Sequence, residues 1–229
     1  MTFTRQDTYL KSLINNYNQD DFYKKINKIP IAIVGCGGIG SPLVELLVRG
    51  GFLNLILIDN DIIDKTNLQR QIYLKSDIGE LKAVSLKNHL LKINNSANIE
   101  IISDLLTESN IDKYLEKSNF IIDATDDFDT RKLINKYSEK TNKSWQYNGA
   151  IKTEIMTCIF NGQDKLFDKI FPKSVQNISC CEVGVLASTT FTSASISYQE
   201  ILKFFLGVYS STLIKFDIWN FEIHKISLN

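Results

Sequence analysis

The sequence predicts an α/β protein: a Rossmann-like, mostly parallel sheet with crossover helices, extended at its C-terminal end by antiparallel strands. Three observations carry this expectation. An apolar run over residues 31–34 is followed by glycines at 35, 37, 38 and 40, a helix-like stretch, and a second apolar run, 55–58, ending at Asp59. Short runs without polar alternation suit strands buried on both faces of a parallel sheet. Strand-like and helix-like segments then alternate as far as Tyr147, which calls for parallel strands joined by crossover helices. After Asn148-Gly149-Ala150 that alternation stops and strand patterning dominates.

Taken in order, residues 1–29 read as a polar, partly helical lead-in, with Tyr9, Leu10 and Leu13 available to pack. Glycine permits the tight turn after the first strand and lets phosphate approach bare backbone N–H groups. Ser41 is a candidate cap for the next helix, and Pro42 falls in its first turn, where a missing N–H costs nothing. The polar segment after Asp61 gives way to a helix with one apolar face, Ala83, Leu86, Leu90 and Ile93. A strand is expected at 99–102, a short helix at 111–117 with Ser109 as its candidate cap, and a buried strand at 120–124 ending in Ala-Thr-Asp-Asp. A helix at 129–141 and a strand at 144–147 follow. Residues 151–160 alternate imperfectly and read as an antiparallel strand; 161–180 read as a polar loop long enough to suggest function or mobility, with Phe167 and Phe171. A helix over 184–206 and a tail of one or two strands complete the chain.

The composition bounds the function. The 229 residues suit one domain, and 26 basic against 26 acidic residues give no net charge, against bulk nucleic-acid binding or a polybasic membrane surface. No apolar run approaches the length of a bilayer span, and the N-terminus has no signal-peptide core. Cys36, Cys158, Cys180 and Cys181 form neither a CxxC pair nor a disulfide framework, as expected of reduced thiols in the cytoplasm.

The glycine cluster, preceded by a strand and followed by a helix, is the fingerprint of a nucleotide site. Asp59, about 20 residues beyond it, stands where a carboxylate bonds a ribose hydroxyl. The loop alone admits a dinucleotide or ATP. Asn67, Arg70 and Gln71 lie within a dozen residues of Asp59, and Lys82 follows; such cations suit a triphosphate. Asp126 could hold Mg²⁺ between phosphates, and it also stands where a residue would cap the following helix. A dehydrogenase would need an acid–base group, but His89 and His224 read as a surface helix residue and a strand-face residue.

The ordered motifs GCGGIGS, DNDIIDKTNLQRQ, DIGELKA and DATDDFDTR, with TFTRQ before them and CCEVGVLAS after them, closely resemble the ThiF/MoeB/HesA family, relatives of the ubiquitin-activating enzymes. The resemblance implies a single domain over 1–229, with a nucleotide-binding part at 30–150 and a carrier-binding part at 151–229. It implies an enzyme that uses Mg²⁺ and ATP to adenylate the C-terminal glycine of a small β-grasp sulfur carrier, for thiamine or molybdopterin synthesis. By motif, Gly35, Gly37, Gly38 and Gly40 would cradle phosphate. Asp59 would take the ribose, with Asp61 close by. Asn67, Arg70 and Lys82 would contact the phosphates, Gln71 would join the nucleotide site, and Asp126 would bind or orient the Mg²⁺. Arg5 would reach the γ-phosphate from the partner subunit of a homodimer. Cys180 matches a cysteine that some members use in sulfur or acyl transfer, with Cys181 as a possible substitute. This sequence departs from many members in lacking two CxxC pairs, so no zinc is expected. The family's TDN is Thr125-Asp126-Asp127 here, and Ser188-Thr189-Thr190 stands where its GP would be. Zinc-less relatives include enzymes that adenylate short peptides in natural-product maturation, which is the alternative; a non-catalytic nucleotide-binding subunit is another.

Overall fold

A computed structural model describes residues 5–14, 17–163, 165–172 and 183–228, with Arg5 described by its backbone alone. Cys180 and Cys181 lie outside the described residues. The strands form one eight-stranded sheet in the order β3-β2-β1-β4-β5-β6-β7-β8. Its parallel half comprises β1 (Ile31–Val34), β2 (Asn54–Ile58), β3 (Asn98–Ile102), β4 (Phe120–Asp123) and β5 (Ser144–Ile151). The antiparallel half continues from β5 through β6 (Glu154–Phe160), β7 (Thr212–Asp217) and β8 (Glu222–Ser227). The expected parallel sheet with an antiparallel C-terminal extension is therefore observed.

Successive strand residues face opposite sides, and a separate apolar core forms on each. Ile31, Ile33, Leu55, Leu57, Phe120 and Ile122 pack on one face beneath helices α3 (Gly40–Arg49), α4 (Lys82–Ile93) and α8 (Ala187–Leu206). The lead-in helices α1 (Arg5–Leu13) and α2 (Gln19–Ile26) lie on this side; α2 supplies Phe22, Tyr23 and Ile26 to the core. Ala32, Val34, Ile56, Ile58, Ile121 and Trp145 pack on the other face against α5 (Ile111–Leu115), α6 (Phe128–Thr141) and α7 (Leu166–Ile170).

Several local expectations are corrected. Ser41 does not cap α3: the cap position is Ile39, and the Ser41 hydroxyl, already inside the helix, donates to Gly37 O at 2.8 Å. Asn110, not Ser109, precedes α5, and Ser109 instead bonds the Thr107 hydroxyl at 3.0 Å. β5 runs to Ile151 because its second half pairs with β6, from Asn148↔Thr157 to Ile151↔Glu154. Residues 152–153 are thereby left as the turn, with Lys152 left-handed at φ 52°. The expected loop at 161–180 contains α7, anchored by Phe167, which is 1% exposed and packs edge-on against Phe160 at 5.6 Å. α8 begins three residues later than expected. Gly184 is left-handed and accepts from Lys152 N, while Leu186 N donates to Lys152 O, which holds this stretch extended. The tail is two strands.

β1 has β2 on one side and β4 on the other, so the connections leaving the carboxyl ends of β1 and β4 diverge and open a crevice between them.

Candidate functional site

The crevice is a cleft of about 690 Å³ at the carboxyl ends of the parallel strands, within the size range of small-ligand sites. Its floor is the glycine loop. Gly35, left-handed at φ 95°, lies so close to β4 that a Cβ would sit 2.7 Å from Ala124 O. Gly40 is tighter still: a Cβ there would lie 2.0 Å from Gly35 O. These two glycines let the loop fold onto its neighbours, and Gly40 does not line the cleft. Gly37 and Gly38 do. The N-terminus of α3 points at them, and its cap position, Ile39, makes no side-chain cap bond. An uncapped helix N-terminus beside bare glycine backbone is an anion site.

Along one side runs the segment after β2. Asp59 accepts Cys36 N at 2.6 Å and Asp61 N at 2.8 Å, which locks the β2 end onto the glycine loop. Burial pushes the Asp59 carboxyl up from the ordinary carboxylate range, and those two N–H groups and Lys82 pull it back. Lys82, its side chain 8% exposed, donates to Asp61 at 2.6 Å. Burying an ammonium group is costly without such a partner, so the pair holds a cation ready at the cleft wall. The Tyr73 hydroxyl donates to Cys36 O at 2.7 Å, with Lys82 O 3.3 Å away, bracing the loop against the start of α4. Asn67 closes a capping box with Asp64, and its side-chain Oδ1 accepts Asp64 N at 3.0 Å. Arg70 donates to Thr66 O at 3.1 Å and also lines the cleft. Gln71 is buried, and its Oε1 has no hydrogen-bond partner among the described atoms.

The opposite wall is the turn from β4 into α6. Asp123, fully buried, accepts the Thr125 hydroxyl at 2.6 Å, Thr125 N at 3.1 Å and Arg131 Nε at 3.0 Å. Burial pushes its carboxyl up, and the guanidinium and Thr125 oppose that. Asp127 caps α6, accepting Thr130 N at 2.7 Å and its hydroxyl at 2.6 Å. Asp126, between them, is exposed and lines the cleft. The capping role open to Asp126 in the sequence therefore belongs to Asp127.

One cleft thus gathers Gly35, Gly37, Gly38, Asp59, Asp61, Asn67, Arg70, Gln71, Lys82 and Asp126. Arg5 is placed elsewhere. It opens α1, whose Gln6 accepts the Tyr198 hydroxyl at 3.0 Å, and Tyr198 in turn abuts Gly50, just past the end of α3. α3 has 10 residues, about 15 Å of helix, so α1 packs at the end of α3 remote from the glycine loop. Cys36 and Cys158 are buried; Cys36 fills the loop interior. His89 pairs with Glu45 at 2.7 Å outside the cleft. Residue-by-residue reading of the sequence missed Tyr73, Asp123, Arg131, Tyr147 and Asn148. Asp123 and Arg131 stand inside the DATDDFDTR motif, the one signal that could have flagged them.

Among the described residues no group of three or more His, Cys, Asp or Glu side chains could hold a metal ion. Asp126, one of several exposed carboxylates lining the cleft that also holds Arg70 and Lys82, fits a hard ion shared with a ligand's phosphate oxygens, the mode Mg²⁺ favours. Among the same residues no helix is long and apolar enough to cross a membrane.

Comparison with known proteins agrees with this geometry. The chain is 30% identical over 229 residues to the probable molybdopterin-synthase adenylyltransferase of Porphyra purpurea, covering 96% of this chain and 60% of that protein. It is 25% identical over 243 residues to the sulfur carrier protein adenylyltransferase of Thermus thermophilus, covering 100% and 90% of the two. In fold it resembles the crystal structure of E. coli MccB, with a TM-score of 0.80 at 22% identity over 100% of this chain and 70% of that one. The chain spans about three-fifths of the length of the Porphyra purpurea and Pyropia yezoensis relatives it matches. The ThiF family's sequence profile covers residues 9–229, taking in the glycine loop, the Asp59–Lys82 wall and the Asp126 turn, and this chain belongs to the ThiF family.

Proposed function

We propose that this protein is an ATP-dependent adenylyltransferase that activates the C-terminal glycine carboxylate of a small β-grasp sulfur carrier. One observation carries the reading: Arg70, Lys82 and an uncapped helix N-terminus share a cleft with Asp126. That is a polyphosphate site with a place for a cation, and it offers no acid–base histidine for hydride chemistry. The names of the Porphyra and Thermus relatives support the choice of a carrier.

The chemistry asks for positioning and charge neutralisation rather than covalent work by the protein. A carboxylate oxygen of the acceptor bonds to the α-phosphorus, and the bond from that phosphorus to the bridging oxygen breaks. An acyl-adenylate and pyrophosphate result. Gly37 and Gly38 let phosphate approach the backbone N–H groups. Asp59 orients the ribose, and its own bonds to Cys36 and Asp61 fix its angle. Lys82 and Arg70 neutralise charge on the phosphates as pyrophosphate leaves, and Asn67 and Gln71 complete that wall. Asp126 would hold Mg²⁺, which when bound offsets the charge of the triphosphate. Because α1 packs far from this chain's own cleft, Arg5 serves the cleft of a second copy in a homodimer. Residues 151–229 receive the carrier. Cys180 is assigned to a later acyl or sulfur transfer. The reading places the enzyme in the cytoplasm, with neither nucleic acid nor membrane as partner and with no zinc.

The test is pyrophosphate release from ATP with and without a Gly-Gly-terminated carrier, followed by the intact mass of the carrier. Carrier-dependent release with a gain of one AMP is expected. The absence of CxxC pairs favours a second reading, a short peptide as acceptor; peptide-dependent release with no response to any carrier would select it.

A further inference from the structure

We propose that Arg131 is a positioning residue that sets the Asp126 carboxylate in the cleft, an inference that rests on the assignment of Asp126 to Mg²⁺ above. The guanidinium reaches three elements at once. Its Nε donates to Asp123 at the end of β4. One terminal nitrogen donates to Thr125 O at 2.6 Å and to Asn148 O of β5 at 3.0 Å. The guanidinium carbon lies over the Tyr147 ring, 4.7 Å from its centroid. Thr125 is therefore held on both sides of its Cα: Asp123 accepts its N–H and hydroxyl, and Arg131 donates to its carbonyl. One residue beyond Asp126, Asp127 is pinned by Thr130. Asp126, exposed like Asp127, stands between two clamped neighbours, which fixes the backbone from which its carboxylate projects, and its charge lies close enough to act on the Arg131 guanidinium.

The anchor behind this clamp is also polar and buried. Asn148, fully buried, donates to Asp123 O at 2.8 Å and accepts the hydroxyls of Ser197 on α8 at 2.5 Å and Thr157 on β6 at 2.9 Å. The guanidinium is thus fastened to the centre of the sheet rather than to a loop. A planar fork with several fixed donors is what this geometry needs, and lysine, with one point charge, cannot supply it. Partners that orient a metal ligand carry much of a site's metal affinity, roughly 10–100-fold on removal.

The experiment measures ATP affinity by displacement of a fluorescent ATP analogue, in EDTA and across a Mg²⁺ titration, for the wild type, Arg131→Lys, Asp126→Ala and the double variant. Arg131→Lys should bind ATP in EDTA within about twofold of wild type, because the glycine loop, Asp59 and Lys82 are untouched. Its half-saturating Mg²⁺ should rise roughly tenfold or more. In the Asp126→Ala background the same substitution should add no further loss of Mg²⁺ response. An unchanged Mg²⁺ dependence in Arg131→Lys overturns the inference, as does an equal loss with and without Mg²⁺, or full additivity with Asp126→Ala. Should circular dichroism show Arg131→Lys unfolded, Thr125→Ala decides: it removes the shorter of the two bonds by which Asp123 holds Thr125 and keeps the N–H and carbonyl bonds, so the half-saturating Mg²⁺ should still rise, and a wild-type Mg²⁺ dependence there overturns the inference. A wild-type protein that binds no ATP in either condition defeats the proposed function itself, and with it this inference.

Discussion

The same methyl group, added at two glycines three residues apart, should produce opposite defects. At Gly40 a Cβ would lie 2.0 Å from Gly35 O, 2.9 Å from Gly35 C and 3.2 Å from the Ala124 Cβ. The nearest obstacle is backbone, and it cannot retreat. Gly35 N is bonded to Ile58 O at 2.9 Å, and Gly35 already rests on Ala124 O. Relief therefore requires α3 to shift against β1 by about an ångström. Overpacking of this kind destabilises by about 1–3 kcal/mol, and the better helix propensity of alanine returns at most about 1 kcal/mol of it. Because the obstacle is backbone, the upper part of that range applies, about 2–3 kcal/mol; less the propensity gain this leaves about 1–2 kcal/mol, and at roughly 2–4 °C per kcal/mol for a chain of this size Gly40→Ala should lower the Tm by roughly 2–8 °C. At Gly37 the nearest atom to an added Cβ is Gln71 Nε2 at 3.8 Å, ordinary contact, and the backbone is not left-handed. Gly37→Ala should keep the wild-type Tm. Its methyl would instead stand on the cleft floor where phosphate approaches the loop, and ATP should bind about tenfold more weakly, about 1.4 kcal/mol. Thermal unfolding followed by circular dichroism, paired with an ATP titration, separates the two. A Gly40→Ala protein with unchanged Tm refutes the packing argument. A Gly37→Ala protein that loses stability yet binds ATP normally refutes the assignment of the floor.

Arg70→Ala should fold normally, since the side chain it removes makes an exposed bond to Thr66 O and the backbone bonds of Arg70 to Asn67 and Thr190 remain, yet lose about 10²–10³-fold in ATP–pyrophosphate exchange; a folded variant exchanging at the wild-type rate would sink its assignment. Burial raises the Glu45 carboxyl, but bonds from His89 and Arg49 outweigh that and bring it below its ordinary 4.5. A depressed folded-state pKa gives stability that is present above 4.5 and lost as pH falls through the lower value. The Tm gap between wild type and Glu45→Gln should therefore be full at neutral pH and close on acidification below 4.5, with a size of about 0.5 kcal/mol; a gap that persists unchanged in acid contradicts the pairing. Asp127→Ala should cost about 1 kcal/mol through loss of the α6 cap, while Asp127→Asn should cost a few tenths at most; equal losses in chemical denaturation would mean that the charge, not the cap, matters there.

How much was legible in the sequence depended on how local the cause was. β1, the glycine loop and Asp59 were readable because each is dictated by residues within a turn or a strand. The end of β5 was not: residues 148–151 are strand only because β6 returns to pair with them. Ser41 was misread because two bonds compete for one hydroxyl, and the partner it takes, Gly37 O, depends on how the loop folds back. The start of α8 was misplaced because Gly184 and Leu186 bond to Lys152, more than thirty residues away. The buried polar cluster was invisible for the same reason. Arg131 meets Asp123 eight residues away, but Asn148 meets Asp123 at a separation of 25 and Ser197 at 49. None of these side chains is unusual for its own segment.

The adjacent acids at 126 and 127 show what the structure adds to a motif. In sequence, both stand at a strand-to-helix junction, and one carboxylate could serve as cap or as ligand. A cap must point back at the first turn of its own helix, and a ligand must point away into the cleft, so one side chain cannot do both at once. The fold divides the work. Asp127 takes Thr130 as its partner, and Asp126 lines the cleft that holds Arg70 and Lys82. This division also bears on the departure from TDN to Thr125-Asp126-Asp127. The altered position is the cap, where asparagine and aspartate serve almost equally well. The added negative charge falls at a helix N-terminus, where the helix dipole favours it. What the departure changes is the charge beside Asp126, which brings a second carboxylate to the wall that the Arg131 clamp holds in place.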